Sequence, residues 1–301
     1  MALTTILTPT EIRKKFKERI AKPSPILAIG VFNPLSARLV EDAGFECVYV
    51  GGANIANSGL GWADLGLVSM HEHLTAVSYI VSVVSIPVFC DIDTGYGNVL
   101  NVWRTIREFE RAGVAGVHIE DQLTPKRCGH FEGKELISTE EMVQKIKIAV
   151  DTRIDPNFVI IARTDARVVE GFDAAIERAN RYVEAGADMT FFESPLSIEE
   201  MQKIPKLIPV PQQINMVEGG KTPMLPFKDL GDMGFRIVHY GNSLARACMK
   251  TMREMLEIFK QDGTTLNHLN LMYTWEERQN LVRLPELESL ERKYSVTKTK
   301  K

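Results

Sequence analysis

Eight short apolar runs, each followed by a longer amphipathic run, constrain this chain more than any other feature. The short runs cover residues 26–32, 47–52, 88–93, 116–121, 158–165, 189–193, 212–217 and 236–240. Each is continuous rather than alternating, as expected of a strand buried on both faces of a parallel sheet. The runs between them read as helices. Residues 99–112 and 173–185 place apolar side chains three and four apart, and both stop in Ala-Gly, at Gly113 and Gly186. Ser138-Thr-Glu-Glu offers a capping start for a helix through Val150. A basic helix over 10–21 precedes the first strand. Eight such units predict a (β/α)8 TIM-type barrel, with a doubly wound sheet as the other arrangement. Polar residues favour the barrel. Asp91, Asp93, Glu120, Asp121, Arg163, Asp165, Glu193 and Asn215 all fall at C-terminal strand ends. A closed barrel gathers those ends at one mouth, whereas an open sheet spreads them along an edge.

At 301 residues, 45% hydrophobic and 25% charged, the chain has ordinary globular composition and enough length for a large core. That excludes a disordered chain, a collagen-like fibre and a coiled coil. A net charge of −3 gives no reason to expect nucleic acid or a membrane as partner. Cys47, Cys90, Cys128 and Cys248 are scattered and form no CxxC pair, which fits a reducing compartment. The first residues lack a basic-then-apolar leader pattern. The longest apolar stretch, about 76–89, is broken by Ser78, Ser82, Ser85 and Pro87. The expectation is a cytoplasmic protein. Residues 243–263 read as one long helix, and 264–301 continue with helical spacing. The expected division is therefore 1–242, the barrel with its N-terminal helix, and 243–301, a helical segment packing on its own barrel or on a neighbouring subunit. The methionines of that segment, Met249, Met252, Met255 and Met272, read as core.

The chemistry lies in the strand ends. Asp91 and Asp93 are two apart, so on a strand they share a side. Two carboxylates facing one mouth repel unless a cation sits between them or one is protonated, and a hard divalent ion is the economical solution. Alternatively one of them caps the next helix. The Gly95-Tyr-Gly97 turn would let the backbone close over that site. Of Glu120 and Asp121 only one can face the axis, and alternation does not say which. The segment 124–134 is long, charged and glycine-containing, where a barrel places a lid. Within it Cys128 lies between Arg127 and His130, and nearby cations make a thiol a competent acid or base. The other reading is a loop held by surface ion pairs, with Cys128 incidental. Arg163 ends an apolar run and needs an anionic partner, either from the protein or from a substrate.

Asp91-Ile-Asp-Thr-Gly-Tyr-Gly, His118-Ile-Glu-Asp-Gln, Pro125-Lys-Arg-Cys-Gly-His, Ala162-Arg-Thr-Asp-Ala and Asn215-Met-Val-Glu-Gly-Gly-Lys-Thr-Pro together resemble the isocitrate lyase/phosphoenolpyruvate mutase superfamily, its lyase branch above all. The resemblance runs from about Thr10 to the last helices. It implies a Mg²⁺-dependent barrel, with Mn²⁺ as a substitute, whose eighth helix is swapped between subunits of a homotetramer. It also implies a retro-aldol cleavage of a small 2-hydroxy di- or tricarboxylate to pyruvate and a carboxylic acid. Carried over by position, Asp93 is the direct metal ligand, with Asp91, Glu120 and Asp64 acting largely through water. Arg163 grips the carboxylate of the oxo-acid half. Cys128 protonates the carbanion, beside Gly129. His130, Glu193 and Asn215 support the second carboxylate and the loop. Tyr49 takes the hydroxyl proton, and Arg246 meets a distal carboxylate. Related lyases carry Ser-Gly-Gly after that tyrosine. Here the run is Gly51-Gly52-Ala53, leaving backbone contacts alone. Phe191 is placed to pack on a substrate methyl, and 2,3-dimethylmalate and 2-methylisocitrate are the candidate substrates. Trp103-Arg-x-x-Arg-Glu-Phe-Glu-Arg resembles the mutase branch, which keeps phosphonate rearrangement open, as is oxaloacetate hydrolysis or decarboxylation.

Overall fold

The computed structural model describes residues 7–127, 129 and 133–295. Cys128 and His130 lie outside the described residues. The chain divides into two units, 1–246 and 247–301, four residues beyond the boundary read from the sequence.

In the first unit eight parallel strands close on themselves in chain order. They are β1 (Ile26–Gly30), β2 (Val48–Val50), β3 (Val88–Asp91), β4 (Gly116–Glu120), β5 (Val159–Thr164), β6 (Met189–Phe192), β7 (Gln212–Asn215) and β8 (Phe235–Tyr240). Pairing of Ile26 with Ile237 and of Ala28 with His239 joins β1 to β8 and shuts the barrel. The helices are α1 (Pro9–Ile20), α2 (Pro34–Asp42), a one-turn α3 (Gly52–Ile55), α4 (Met70–Val81), α5 (Val99–Arg111), α6 (Thr139–Thr152), α7 (Phe172–Glu184), α8 (Ile198–Leu207) and α9 (Phe227–Met233), followed by α10 (Ser243–Asp262). Side-chain caps start them where the sequence signals them. Thr8 and Glu11 form a reciprocal capping box on α1, and the Ser138 hydroxyl accepts the Glu141 amide on α6. Gly113 and Gly186 end α5 and α7 with φ of 90° and 104°, a conformation that a side chain disfavours.

Seven of the eight strands are shorter than the apolar runs; β8 is one residue longer. β3 stops at Asp91, and Asp93 turns out of the ladder with φ 47°. Ser194 does the same after β6, with φ 57°. The chain must leave the sheet at the mouth, so the last polar residues of each run belong to turns.

A period of two sorts each strand between two cores. Ala28, Tyr49, Phe89, Ile161, Phe191 and Ile237 cluster inside the barrel, where α1 contributes Phe16 and Ile20. Val48, Val50, Cys90, Val117, Ile119, Ile160 and Ala162 pack outward against α4, α5 and α6. Phe16 stacks on Phe89 at 5.8 Å, so α1 plugs the N-terminal end of the barrel. Chemistry is left to the other end.

The second unit holds the rest of α10, then α11 (Trp275–Leu281) and α12 (Leu284–Tyr294). Of the four methionines expected in its core, Met255 is half-buried and the other three are not buried. Met249, Met252 and Met272 are exposed, as are Leu256 and Phe259. No helix among the described residues is long and apolar enough to cross a membrane.

Candidate active site at the barrel mouth

Register decides which strand-end residues face the axis. His118 and Glu120 of β4 are both fully buried and share one parity. Asp121 has the parity of Val117 and Ile119 and turns to the helix layer. There it accepts Thr164 Oγ1 at 2.7 Å, Tyr182 Oη at 2.8 Å and the Asp165 amide at 2.9 Å. Glu120 therefore belongs to the mouth, and Asp121 holds the backbone around β5.

The floor of the mouth is a ring of planar side chains. Tyr49, His118, Phe191 and His239 lie with neighbouring centroids 4.7–5.5 Å apart. His118 Nε2 lies 3.0 Å from Asp91 Oδ1 and 3.4 Å from the Tyr49 hydroxyl. Burial works against charge on Asp91, but His118, Lys126 and Arg163 outweigh it and hold this carboxyl well below the usual range. Burial and the Asp91 charge push the Tyr49 phenol well above 10. Tyr49 is thus a protonated phenol in the protein by itself. Phe191 is in the floor of the mouth and not among the residues that line the cavity. It lies beneath Arg163, whose guanidinium carbon is 5.1 Å from its ring centroid.

Four acids converge above this floor. Lys126 reaches in from the loop after β4, its ammonium 2.7 Å from Asp64 Oδ1 and 3.0 Å from Asp93 Oδ1. Asp93 is pushed up to about 6 by burial, with Asp91 and Asp64 adding to the effect and Lys126 opposing it. Glu120 is pushed well above the carboxylate range, again chiefly by burial. Neither Glu120 oxygen accepts a hydrogen bond, although Arg163 Nε is 3.3 Å away. A wholly buried carboxylate without a donor demands an explanation. Oxygen donors in this excess suit a hard divalent cation. Among the described residues no three His, Cys, Asp or Glu side chains are already gathered as a chelate. An ion held here would therefore reach most of these acids through water. Gly52 makes the approach possible, since a Cβ there would lie 3.0 Å from Asp93 Oδ1. The Gly95-Tyr-Gly97 turn follows Asp93 after Thr94 alone, and the Asp93 and Asp91 charges act on the Tyr96 phenol. The turn folds onto the helix layer, where a Cβ on Gly95 would meet Val102 at 2.5 Å.

Beside Glu120 stands Arg163. Asp165 holds it through Nε at 2.8 Å and Nη2 at 3.1 Å, and Glu193 Oε2 is 3.7 Å from Nη2. Gly129 lies directly upon both. A Cβ there would come within 2.7 Å of Arg163 Nη2 and 2.8 Å of Glu193 Cδ. The cavity of the mouth is lined by Tyr49, Gly51, Gly52, Ala53, Asp64, Asp91, Lys126, Gly129, Arg163, Glu193 and Asn215, with Val217, Gly241 and Asn242 at its edge. Tyr49 leans toward Gly51, so a Cβ at 51 would sit 3.1–3.4 Å from the ring. Glycine in place of serine therefore frees no extra space. Arg246 is not brought into the cavity. It is half exposed and paired with Glu218, at 2.9 Å from the carbonyl and 3.2 Å from Oε2.

Sequence reasoning passed over Lys126, His118, Lys134 and the anchoring role of Asp165. A signal for His118 existed: a lone histidine within an apolar run, in phase with Glu120. Nothing in the spacing marked Lys126 as the cation of the acid cluster.

Comparison with known proteins agrees with this arrangement. The family model described as phosphoenolpyruvate phosphomutase matches residues 16–260. The 2,3-dimethylmalate lyase of Eubacterium barkeri is 42% identical over 281 residues, 93% of this chain and 97% of that protein. The 2-methylisocitrate lyase of Aeropyrum pernix is 45% identical over 266 residues, covering 88% and 85%. A crystal structure of 2,3-dimethylmalate lyase superposes with a TM-score of 0.89 at 34% identity, covering 97% of each chain. Phosphonopyruvate hydrolase in complex with oxalate and Mg²⁺ does so with a TM-score of 0.86 at 29% identity, covering 96% and 99%. With its closed barrel, its acid cluster and its anchored arginine, the chain belongs to the phosphoenolpyruvate mutase/isocitrate lyase superfamily.

Proposed function

We propose that the protein is a Mg²⁺-dependent carbon–carbon lyase. It cleaves a 2-alkyl-substituted malate or tricarboxylate, such as 2,3-dimethylmalate or 2-methylisocitrate, to pyruvate and a carboxylic acid. The observation that carries this reading is the pairing of groups at the mouth. A buried, under-neutralised acid cluster adjoins an arginine already fixed by Asp165, with the glycine next to Cys128 seated on that arginine.

Asp93 would hold the ion directly, with Asp91, Glu120 and Asp64 around it. The ion supplies Lewis-acid stabilisation of the oxygens of the oxo-acid half. A phosphonopyruvate hydrolase with this fold was crystallised with oxalate and Mg²⁺, which supports the assignment. Arg163 binds the carboxylate beside C2, and the backbone of Gly51, Gly52 and Ala53 lines the opposite wall. The 2-hydroxyl proton leaves toward Tyr49, and the O–H electron pair becomes the new C=O. The C2–C3 pair moves to C3, and a proton from the Cys128 thiol quenches the carbanion there. Tyr49 must first give up its own proton. That proton leaves to solvent before the substrate binds, and His118 Nε2, 3.4 Å away and protonated toward Asp91, steadies the phenolate left behind. Glu193 and Asn215, and His130 from the loop, support the second carboxylate.

The test is pyruvate release from 2,3-dimethylmalate, 2-methylisocitrate and oxaloacetate, with glyoxylate release from isocitrate, in Mg²⁺ and then in EDTA. EDTA-sensitive pyruvate from an alkylated acid establishes the reading, and C128S then tests the acid. Silence with the alkylated acids, together with a new phosphorus resonance from phosphonopyruvate, moves the assignment to phosphonate chemistry. The match to a phosphomutase model makes that the second reading.

The active form is read as a homotetramer in a reducing, cytoplasmic setting. Met249, Met252, Leu256 and Phe259 are exposed at helical spacing on α10, an apolar stripe suited to cover by a neighbouring subunit.

A further inference from the structure

Lys134 and Asp165 take no part in the chemistry above, yet their side chains are 1% and 0% exposed. Lys134 Nζ donates to Asp165 Oδ1 at 2.6 Å and to the Gly129 carbonyl at 2.7 Å. Asp165 accepts Arg163 Nη2 on that same Oδ1 at 3.1 Å and Arg163 Nε on Oδ2 at 2.8 Å. Ser194 Oγ reaches the Gly129 carbonyl at 3.4 Å. Asp165 is itself fixed, because its amide donates to Asp121. The Gly129 carbonyl and the Arg163 guanidinium thus hang from the two ends of one buried bridge. Burying a Lys–Asp pair costs desolvation that apolar side chains would avoid, so stability alone does not account for it.

We infer that Lys134 and Asp165 are positioning residues that lock the Gly129 carbonyl to Arg163. Gly129 follows Cys128 directly in the chain. Each end of the bridge has its own consequence. Loss of Lys134 frees the loop and leaves Arg163 anchored. Loss of Asp165 frees both. The kinetic half of this inference rests on the lyase reading, and the geometric half does not.

The experiment compares wild type with K134M, D165N and K134M/D165N. The double variant removes the Lys–Asp pair as a unit, leaving Arg163 to Glu120 and Glu193, and keeps the test sound if a single variant fails to fold. Cooperative thermal melting identifies the folded proteins. An Arg-specific protease then reports cleavage after Arg127, which is exposed while its backbone is held by Gln122. Expected are at least tenfold faster cleavage in all three variants, and a kcat about a hundredfold lower. KM should stay within threefold in K134M but rise in D165N. Cleavage within twofold of wild type in the folded variants overturns the inference, whatever the kinetics. If wild type releases no pyruvate, the functional reading fails while the cleavage comparison still decides this one.

Discussion

Gly129 has no room for a side chain, because Arg163 Nη2 and Glu193 Cδ both lie within 3 Å of where its Cβ would be. G129A should therefore lower kcat/KM by about a hundredfold, roughly 3 kcal/mol of transition-state stabilisation, with little change in melting temperature. Steady-state kinetics beside a melting curve checks both halves. Asp93 makes the matching case for charge. Its carboxyl sits at about 6, raised chiefly by burial. In metal-free protein the fold binds that proton more tightly than the unfolded chain does. The group therefore adds stability as pH falls through 6 toward the ordinary carboxylate value, about 3 kcal/mol at most. A divalent ion needs the opposite state. Mg²⁺ affinity measured by calorimetry should drop about tenfold per pH unit below 6, and D93N should remove most of the binding. Asp91 runs the other way. Its depressed value means that its contribution persists at neutral pH and is lost only in strong acid.

At the scale of elements, the turns after the strands set the site. The segment after β3 turns at Asp93 and Gly95, whose φ values are 47° and 83°. Gly95 is pressed against Val102 of α5 and Ile119 of β4. G95A would push that turn off the helix. It should cost about 2 kcal/mol in urea unfolding and weaken Mg²⁺ binding, since Asp93 rides on the same turn. The runs and helix stops were readable because periodicity and Ala-Gly endings are local properties. Positions of the strand ends were not, because a strand stops where its neighbours stop pairing. The choice between Glu120 and Asp121 was likewise unreadable. It depends on which face of β4 meets the axis, and the outer face is claimed by Tyr182 and Thr164, 61 and 43 residues away.

For the whole molecule, closure of β1 on β8 turns eight separate strand ends into one mouth. The second unit contributes exposed Met249, Met252, Leu256 and Phe259. Replacing Leu256 and Phe259 together by glutamate should leave the barrel folded and lower the mass seen by light scattering from four chains toward one. An unchanged mass would remove that stripe from the assembly.

The sequence by itself determined eight strand–helix units, an N-terminal helix and the polar residues that crown the strands, because two-residue and 3.6-residue periods and cap signals act over a few residues. Motif order also identified the superfamily. Tertiary structure decided the rest. It turned Glu120 inward, set Phe191 under Arg163, tied Arg246 to Glu218, and placed Lys126 between Asp64 and Asp93. Each of these is a pairing of charges or rings from different elements. Such pairings follow from how far burial weakens the solvent's hold on a charge, which no local stretch of sequence carries.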